Sequence, residues 1–299
     1  MNPLAIERPG RAYPAAMTTP AGLTVRPLTG RIGAEICGVD CAKDIPSAVA
    51  AELNQLLNKW KVIFFRDQAV TPAEHIRFAG IFGPVVDNYA AARDPDHVEI
   101  QKIRSTYGNV NKWHTDTSWM VKPAKCAVLH AVVVPEVGGD TMWADGVAAY
   151  EGLPQEVKDR IGELDCIHDP SNIGKSYGLD DPDYAARLQK RRDIRKQHPL
   201  VAQPIVRTHP ETGEKSLFLN ENLSTHIVGL APDEGRELLD FLLREYQRPE
   251  YTVRFRWRPN SIAVWDQRQT QHTAINDYPD GTPRQLHRVL VSGNDVPHR

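Results

Sequence analysis

The stretch from Cys126 to Val134 constrains this chain most: a long apolar run, broken only by His130 and closed by Pro135. Rich in valine and bounded by a proline, it reads as a core strand. Similar strands are expected at Lys61 to Phe65, Ile262 to Trp265 and Leu286 to Val291, with a further one near Val98 to Ile103. Between Thr252 and Trp257, Val253, Phe255 and Trp257 alternate with Arg254 and Arg256, the pattern of a half-exposed strand. Leu23 to Val39 suits short strands joined at glycines, and 204–208 with 216–219 suit a hairpin around Thr212-Gly213.

Helices are expected around these strands. Val49, Leu53, Leu56, Leu57 and Trp60 recur at helical spacing. Thr71, Pro72 and Glu74 form the opening of a second helix, with a capping box and proline at its first position. Shorter helices are expected at 145–152 and 154–164, and a longer one from Pro232 to Tyr246. The fold class that follows is mainly β with flanking helices, a double-stranded β-helix (jelly roll, cupin-like).

With 299 residues, the chain is read as one jelly-roll domain over 23–299, preceded by a disordered Pro-, Ala- and Arg-rich arm over 1–22. Met17 is an alternative start. Residues 172–198 are crowded with charge and poor in apolar anchors, so they read as a surface insertion: a solvated helix, or alternatively a lid. A net charge of −2 argues against general nucleic-acid or anionic-membrane binding. Four scattered cysteines make no disulfide framework, and Cys37 and Cys41 read as ordinary thiols. No run has membrane length and no signal peptide is evident, so a cytoplasmic location is expected.

Chemistry centres on Trp113-His114-Thr115-Asp116. On extended backbone His114 and Asp116 point to the same face and can grip one ion together. An imidazole and a carboxylate are two of the three ligands of a facial triad on Fe(II). The pair also occurs by chance as ordinary surface or core residues. A third ligand should come from far along the chain, and His272, expected at the start of a polar turn, is the candidate. His75 is read as a solvated or capping residue. Arg284 and Arg288 lie four apart on an expected strand, so both face one side, with His287 on the other. Two inward guanidiniums suggest two anionic groups of a small molecule, since a buried unpaired one costs about 3–5 kcal/mol. An exposed basic edge strand is the alternative.

Six ordered motifs carry a resemblance: Val62-Ile63-Phe64-Phe65-Arg66-Asp67-Gln68, Trp113 to Asp116, Gly138-Gly139-Asp140-Thr141-Met142-Trp143-Ala144, Val206-Arg207-Thr208-His209-Pro210, Trp265-Asp266-x-Arg268-x-x-x-His272, and Arg284-x-x-His287-Arg288. From about Leu23 to the C-terminus the chain resembles the taurine dioxygenase family of Fe(II)- and 2-oxoglutarate-dependent oxygenases, with its alkylsulfatase and aryloxyalkanoate dioxygenase relatives. The resemblance implies that His114, Asp116 and His272 hold Fe(II). It implies that Thr141 and Arg284 bind the distal carboxylate of 2-oxoglutarate, and that Arg288 meets the substrate anion or the metal-proximal end of the cosubstrate. His209 is read as structural. The implied reaction uses O2 and 2-oxoglutarate to hydroxylate a carbon next to a heteroatom, releasing succinate and CO2.

The chain departs from the taurine enzymes around the substrate. Asn88, beside Tyr89, stands where a sulfonate-gripping histidine is expected, Val110 replaces an asparagine, and Leu223 replaces an aromatic wall. Asparagine carries no charge, so taurine is disfavoured. Asn88, Tyr89, Val110, Trp119 and Leu223 are expected to shape a pocket for an alkylsulfonate, alkyl sulfate ester or aryloxyalkanoate. A homodimer or homotetramer is implied. The competing readings are a zinc-dependent hydrolase, to which His, His and Asp are also suited, and a non-catalytic jelly-roll binding protein.

Overall fold

The computed structural model describes residues 16–86, 94, 96–104, 111–172 and 184–299. Its centre is two facing sheets. The larger runs in the order Met17–Thr18, Thr24–Pro27, Ala34–Cys37, Val62–Phe65, Ile262–Asp266, Cys126–Val133, Gln285–Val291 and Val85–Val86, with Ile100–Arg104 also pairing onto Gln285–Val291. Every pairing is antiparallel except that of Ala34–Cys37 with Val62–Phe65. The smaller sheet sets Thr141–Asp145 between Thr252–Phe255 and Thr270–Ala274. This is the jelly roll that the apolar runs anticipate.

Those runs are continuous because both faces of the larger sheet are covered. Ile63 and Phe65 pack outward with Cys126 and Val128, under the helices Ser47–Trp60 and Pro72–Gly80. Val62 and Phe64 pack inward with Ala127, Leu129, Trp143 and Trp265, between the two sheets. Adjacent side chains on a strand alternate faces, so two apolar environments require an unbroken apolar sequence. The alternation in Gln285–Val291 follows the same rule: Leu286 and Leu290 face inward, Val289 and Val291 outward. Arg284 and Arg288 share the inward phase. The one irregular step of this pairing falls on the neighbouring strand, where Val132 has no counterpart, and leaves that phase intact.

The helix Pro72–Gly80 starts as the capping box requires. The Thr71 hydroxyl accepts from the Glu74 amide at 3.3 Å, and the Glu74 carboxylate accepts from the Thr71 amide at 2.7 Å. A second helical layer, Gly146–Glu151 and Pro232–Tyr246, buries Ala148, Leu239, Leu242 and Tyr246 against the hairpin Val206–Thr208 with Lys215–Leu217.

Three expectations are corrected. Met17–Thr18 pairs with Thr24–Pro27, and Met17 packs on the core, so the last residues of the expected arm belong to the sheet. His75 is neither solvated nor a cap: it is buried, with Nε2 3.2 Å from the Val128 carbonyl. His272 does not open a turn. The turn precedes it at 267–269, and His272 sits mid-strand opposite Trp143. Within the charged insertion, Tyr184–Gln197 is helical, while residues 173–183 lie outside the described residues. The four cysteines are free thiols. Among the described residues no helix is long and apolar enough to cross a membrane.

Candidate active site

His114 and His272 come together through their backbones. The His114 amide donates to the His272 carbonyl at 3.0 Å and the His272 amide to the His114 carbonyl at 2.8 Å, an isolated antiparallel bridge between the 113–118 loop and Thr270–Ala274. The loop is tied down around it. The Thr115 hydroxyl donates to the Thr270 carbonyl at 2.6 Å, and the buried Asn220 amide donates to the Thr115 carbonyl at 2.7 Å. Thr117, immediately after Asp116, takes φ 55°, a strained conformation for a β-branched residue. Its hydroxyl accepts from the Ala124 amide at 2.8 Å.

The bridge sets the imidazoles side by side, with centroids 4.1 Å apart. The Nε2 atoms of His114 and His272 lie 3.9 Å from Asp116 Oδ1 and Oδ2 respectively. Ligand atoms of the three residues all fall within 4.8 Å of one another. In the tautomer that hydrogen bonding favours, His114 Nδ1 donates to the Lys112 carbonyl at 2.8 Å, so Nε2 keeps its lone pair for an ion. Burial lowers the pKa of His114, and that of His272 well below its ordinary value, keeping both rings neutral. For Asp116, burial pushes the other way. The Arg288 guanidinium, the two imidazoles and the Gln267 amide outweigh it and hold the carboxyl well below its usual range. Two neutral imidazoles and one ionised carboxylate are the donor set that suits Fe(II) with open positions, so the residues fit that ion.

Asp116 is gripped at both ends of its residue. The Gln267 amide nitrogen donates to Oδ2 at 2.7 Å, and the Gln267 amide oxygen accepts from the Asp116 backbone N–H at 3.1 Å. Arg288 Nη1 lies 2.5 Å from the same Oδ2, while Nη2 donates to Gln101 Oε1 at 2.5 Å. Arg288 Nε is buried without a partner among the described residues.

The other inward arginine stands at a second pole. Arg284 is buried, and among the described residues it makes one hydrogen bond, from Nε to the Gly139 carbonyl at 3.1 Å, and no ion pair. Its pKa is lowered, burial being the main cause. Gly138 and Gly139 both need positive φ, 80° and 71°, and a Cβ on Gly139 would meet Arg284 Nε at 3.3 Å. Thr141 lies two residues beyond Gly139, and its hydroxyl accepts from Trp257 Nε1 at 2.9 Å.

Of the expected pocket residues, Leu223 and Trp119 are described. Leu223 is buried in the 219–223 stretch, which borders the metal loop through the Glu221 amide and the Trp113 carbonyl, 3.0 Å apart. Trp119 is half-buried, with its ring 4.5 Å from that of His198, just past the charged helix. Asn88, Tyr89 and Val110 lie outside the described residues. His209 is structural, as expected: its buried ring meets Asp266 Oδ2 at 3.0 Å.

Sequence reasoning passed over Gln267, Trp257, Asn220 and Gln101. Gln267 occupies an unspecified position inside one of the six motifs, and the alternation around Trp257 speaks only to strand phase. Nothing in local spacing says that either reaches a site residue more than a hundred positions away.

The family model described as taurine catabolism dioxygenase TauD, TfdA family matches residues 24–290. The chain is 35% identical over 280 residues to an alpha-ketoglutarate-dependent sulfate ester dioxygenase of Pseudomonas putida, covering 92% of this chain and 91% of the relative. It is 34% identical over 274 residues to an alkylsulfatase of Acinetobacter baylyi, covering 91% and 85%. A crystal structure of a taurine dioxygenase from Burkholderia xenovorans superposes with a TM-score of 0.78 at 32% identity, covering 92% of this chain and 90% of that one.

Proposed function

The chain belongs to the taurine catabolism dioxygenase TauD, TfdA family, and we propose that it is an Fe(II)- and 2-oxoglutarate-dependent dioxygenase hydroxylating a carbon next to a heteroatom in a small anionic substrate. The observation that carries this reading is the convergence of His114, Asp116 and His272 beside two inward arginines. Arg288 pairs with the Asp116 carboxylate, whereas Arg284 has no ion-pair partner among the described residues.

In this reading His114, Asp116 and His272 hold Fe(II). Bound iron couples the reduction of O2 to decarboxylation of 2-oxoglutarate, giving succinate, CO2 and a hydroxylated substrate. Arg284 and Thr141 receive the distal carboxylate of 2-oxoglutarate in a dry setting, where charge-assisted hydrogen bonds are strong. Arg288 anchors the substrate anion while keeping Asp116 ionised. Trp119 and Leu223, with Asn88, Tyr89 and Val110, shape the pocket around the substrate body. The charged helix Tyr184–Gln197, tied to the body of the fold by the Arg195–Asp169 ion pair, is read as a solvated surface insertion, with a lid as the alternative. The two curated relatives favour an alkyl sulfate ester over an alkylsulfonate or aryloxyalkanoate, and uncharged Asn88 argues against taurine.

The test is succinate formation from 2-oxoglutarate under air, stimulated by a panel of sulfate esters, sulfonates and aryloxy acids. Stimulation with Fe(II) and not with Zn(II) is expected, strongest with alkyl sulfates. No stimulation by any of these anions removes the anionic-substrate reading, and Zn(II)-dependent hydrolysis without O2 removes the dioxygenase. The protein is also proposed to work as a cytoplasmic homodimer or homotetramer; a monomer by light scattering contradicts that assembly.

A further inference from the structure

Thr141 has a hydrogen-bonding problem that Trp257 resolves in one direction only. A threonine hydroxyl has one proton and two lone pairs, whereas an indole N–H can only donate. Trp257 Nε1 lies 2.9 Å from Thr141 Oγ1, and both residues are 4% exposed. In that contact the hydroxyl must be the acceptor, so its own proton points elsewhere. Among the described residues that proton has no acceptor, and nearby stands Arg284, a buried guanidinium with no ion pair.

The indole is not free to turn away. Thr141 pairs in register with Phe255 on the neighbouring strand, which brings Trp257 alongside. The Trp257 ring is wedged edge-on against Phe255 at 5.1 Å and 89°, and against Trp143 at 6.2 Å and 61°. Such contacts fix an aromatic ring's plane and hence the direction of its N–H.

We propose that Trp257 is a positioning residue for 2-oxoglutarate: by occupying a lone pair of the Thr141 hydroxyl, it commits the hydroxyl proton to the distal carboxylate. Arg284 supplies charge to that carboxylate, Thr141 supplies a directed proton, and Trp257 removes the alternative in which the hydroxyl turns its oxygen toward an anion. The donor is then oriented before the ligand arrives, and binding spends little on reorganisation. This rests on the reading that Thr141 and Arg284 receive the cosubstrate.

The experiment uses the full-length protein loaded with Mn(II) and measures 2-oxoglutarate affinity by calorimetry, alongside steady-state kinetics with Fe(II). Trp257→Phe removes the donor and keeps an aromatic ring. Because Phe is smaller, a second variant carries benzothienylalanine at 257, in which sulfur replaces the indole N–H with almost no change of shape. Both are expected to weaken 2-oxoglutarate binding by up to about tenfold, because the Thr141 hydroxyl must then be oriented by the ligand itself. KM for 2-oxoglutarate rises with kcat, substrate KM and Mn(II) affinity unchanged. In a Thr141→Val background neither change has a further effect, since Trp257 acts only through the hydroxyl.

Unchanged 2-oxoglutarate affinity in the benzothienyl variant overturns the proposal. An equal loss in the Thr141→Val background also overturns it, by assigning Trp257 a packing role. If Thr141→Val and Arg284→Gln themselves leave 2-oxoglutarate affinity untouched, the cosubstrate does not bind at this end, and the reading beneath the proposal fails with it. If those two weaken binding and the Trp257 variants do not, the proposal fails alone.

Discussion

His114 and His272, 158 positions apart in sequence, exchange both backbone hydrogen bonds across a single antiparallel bridge, at 3.0 and 2.8 Å. The spacing of the two imidazoles is therefore set by main chain, not by side-chain packing. His272→Ala leaves that bridge in place. It is expected to abolish Fe(II)-dependent succinate formation and to weaken Mn(II) binding by about 100-fold or more, with unchanged circular dichroism. Retention of tight, stoichiometric Mn(II) binding would exclude His272 from the ligand set.

Gln267 holds the third ligand by a two-point clamp, one hydrogen bond to the Asp116 carboxylate and one from its backbone amide. Outer partners of this kind orient a ligand and tune its basicity, and losing one weakens metal binding by about 10–100-fold. Gln267→Leu should fall in that range by Mn(II) titration, with affinity for 2-oxoglutarate in the Mn(II)-saturated protein unaffected. Gln267→Asn, one methylene shorter, should fall between the two. A Leu variant that binds Mn(II) as tightly as the parent would show the clamp to be incidental.

What the sequence discloses and what it hides divide along physical lines. Val62–Phe65 and Cys126–Val133 are legible because strands covered on both faces leave an unbroken apolar signature, and Pro72–Gly80 because its capping box is local. His114 and Asp116 are legible because two residues apart on extended backbone is itself a geometric statement. His75 is hidden: a histidine on an amphipathic helix looks soluble, and only the fold places it under the larger sheet against the Val128 carbonyl. Gln267 and Trp257 are hidden for another reason. Their roles lie in single hydrogen bonds to residues on other strands, and no periodicity encodes such a bond.

Asp266 anchors the turn that carries Gln267. Its Oδ1 accepts from the Arg268 amide and Nε, both at 2.9 Å, and its Oδ2 accepts from Arg268 Nη2 at 2.6 Å and meets His209 at 3.0 Å. Arg268 Nη1 continues to Glu211 at 2.5 Å. Removing one partner of a buried ion pair strands the other, at a cost of about 3–5 kcal/mol. Asp266→Ala should lower the unfolding free energy by that amount in urea titrations, and metal affinity should fall with it as the 267–269 turn loosens. A loss below about 1 kcal/mol would mean that Glu211 alone satisfies Arg268.

Buried neutral histidines predict how stability responds to pH. Burial lowers His75 and His168 to about 3, with the neighbouring His130 adding to the effect on His75. The His168 ring lies between the Ser118 and Ser224 hydroxyls, at 2.9 and 3.2 Å. An exposed histidine in the unfolded chain titrates near about 6.5. Between that value and about 3 the unfolded state therefore holds protons that the folded state refuses. Their contribution to stability is complete above about pH 6.5 and shrinks as pH falls, by about 1.4 kcal/mol per pH unit for each group. His130 and His287, also lowered by burial, act in the same direction. Unfolding near pH 5.5 should thus take up at least two protons, and stability should drop by about 3 kcal/mol per unit there. Carboxylates held low against burial, Asp266 by Arg268 and Glu211 by Asn58 and Arg268, add their own loss only as pH falls below about 5. Urea titrations at pH 7.5, 6.5, 5.5 and 5.0 measure the slope, and a flat profile between 6.5 and 5.0 would show that these rings protonate without unfolding.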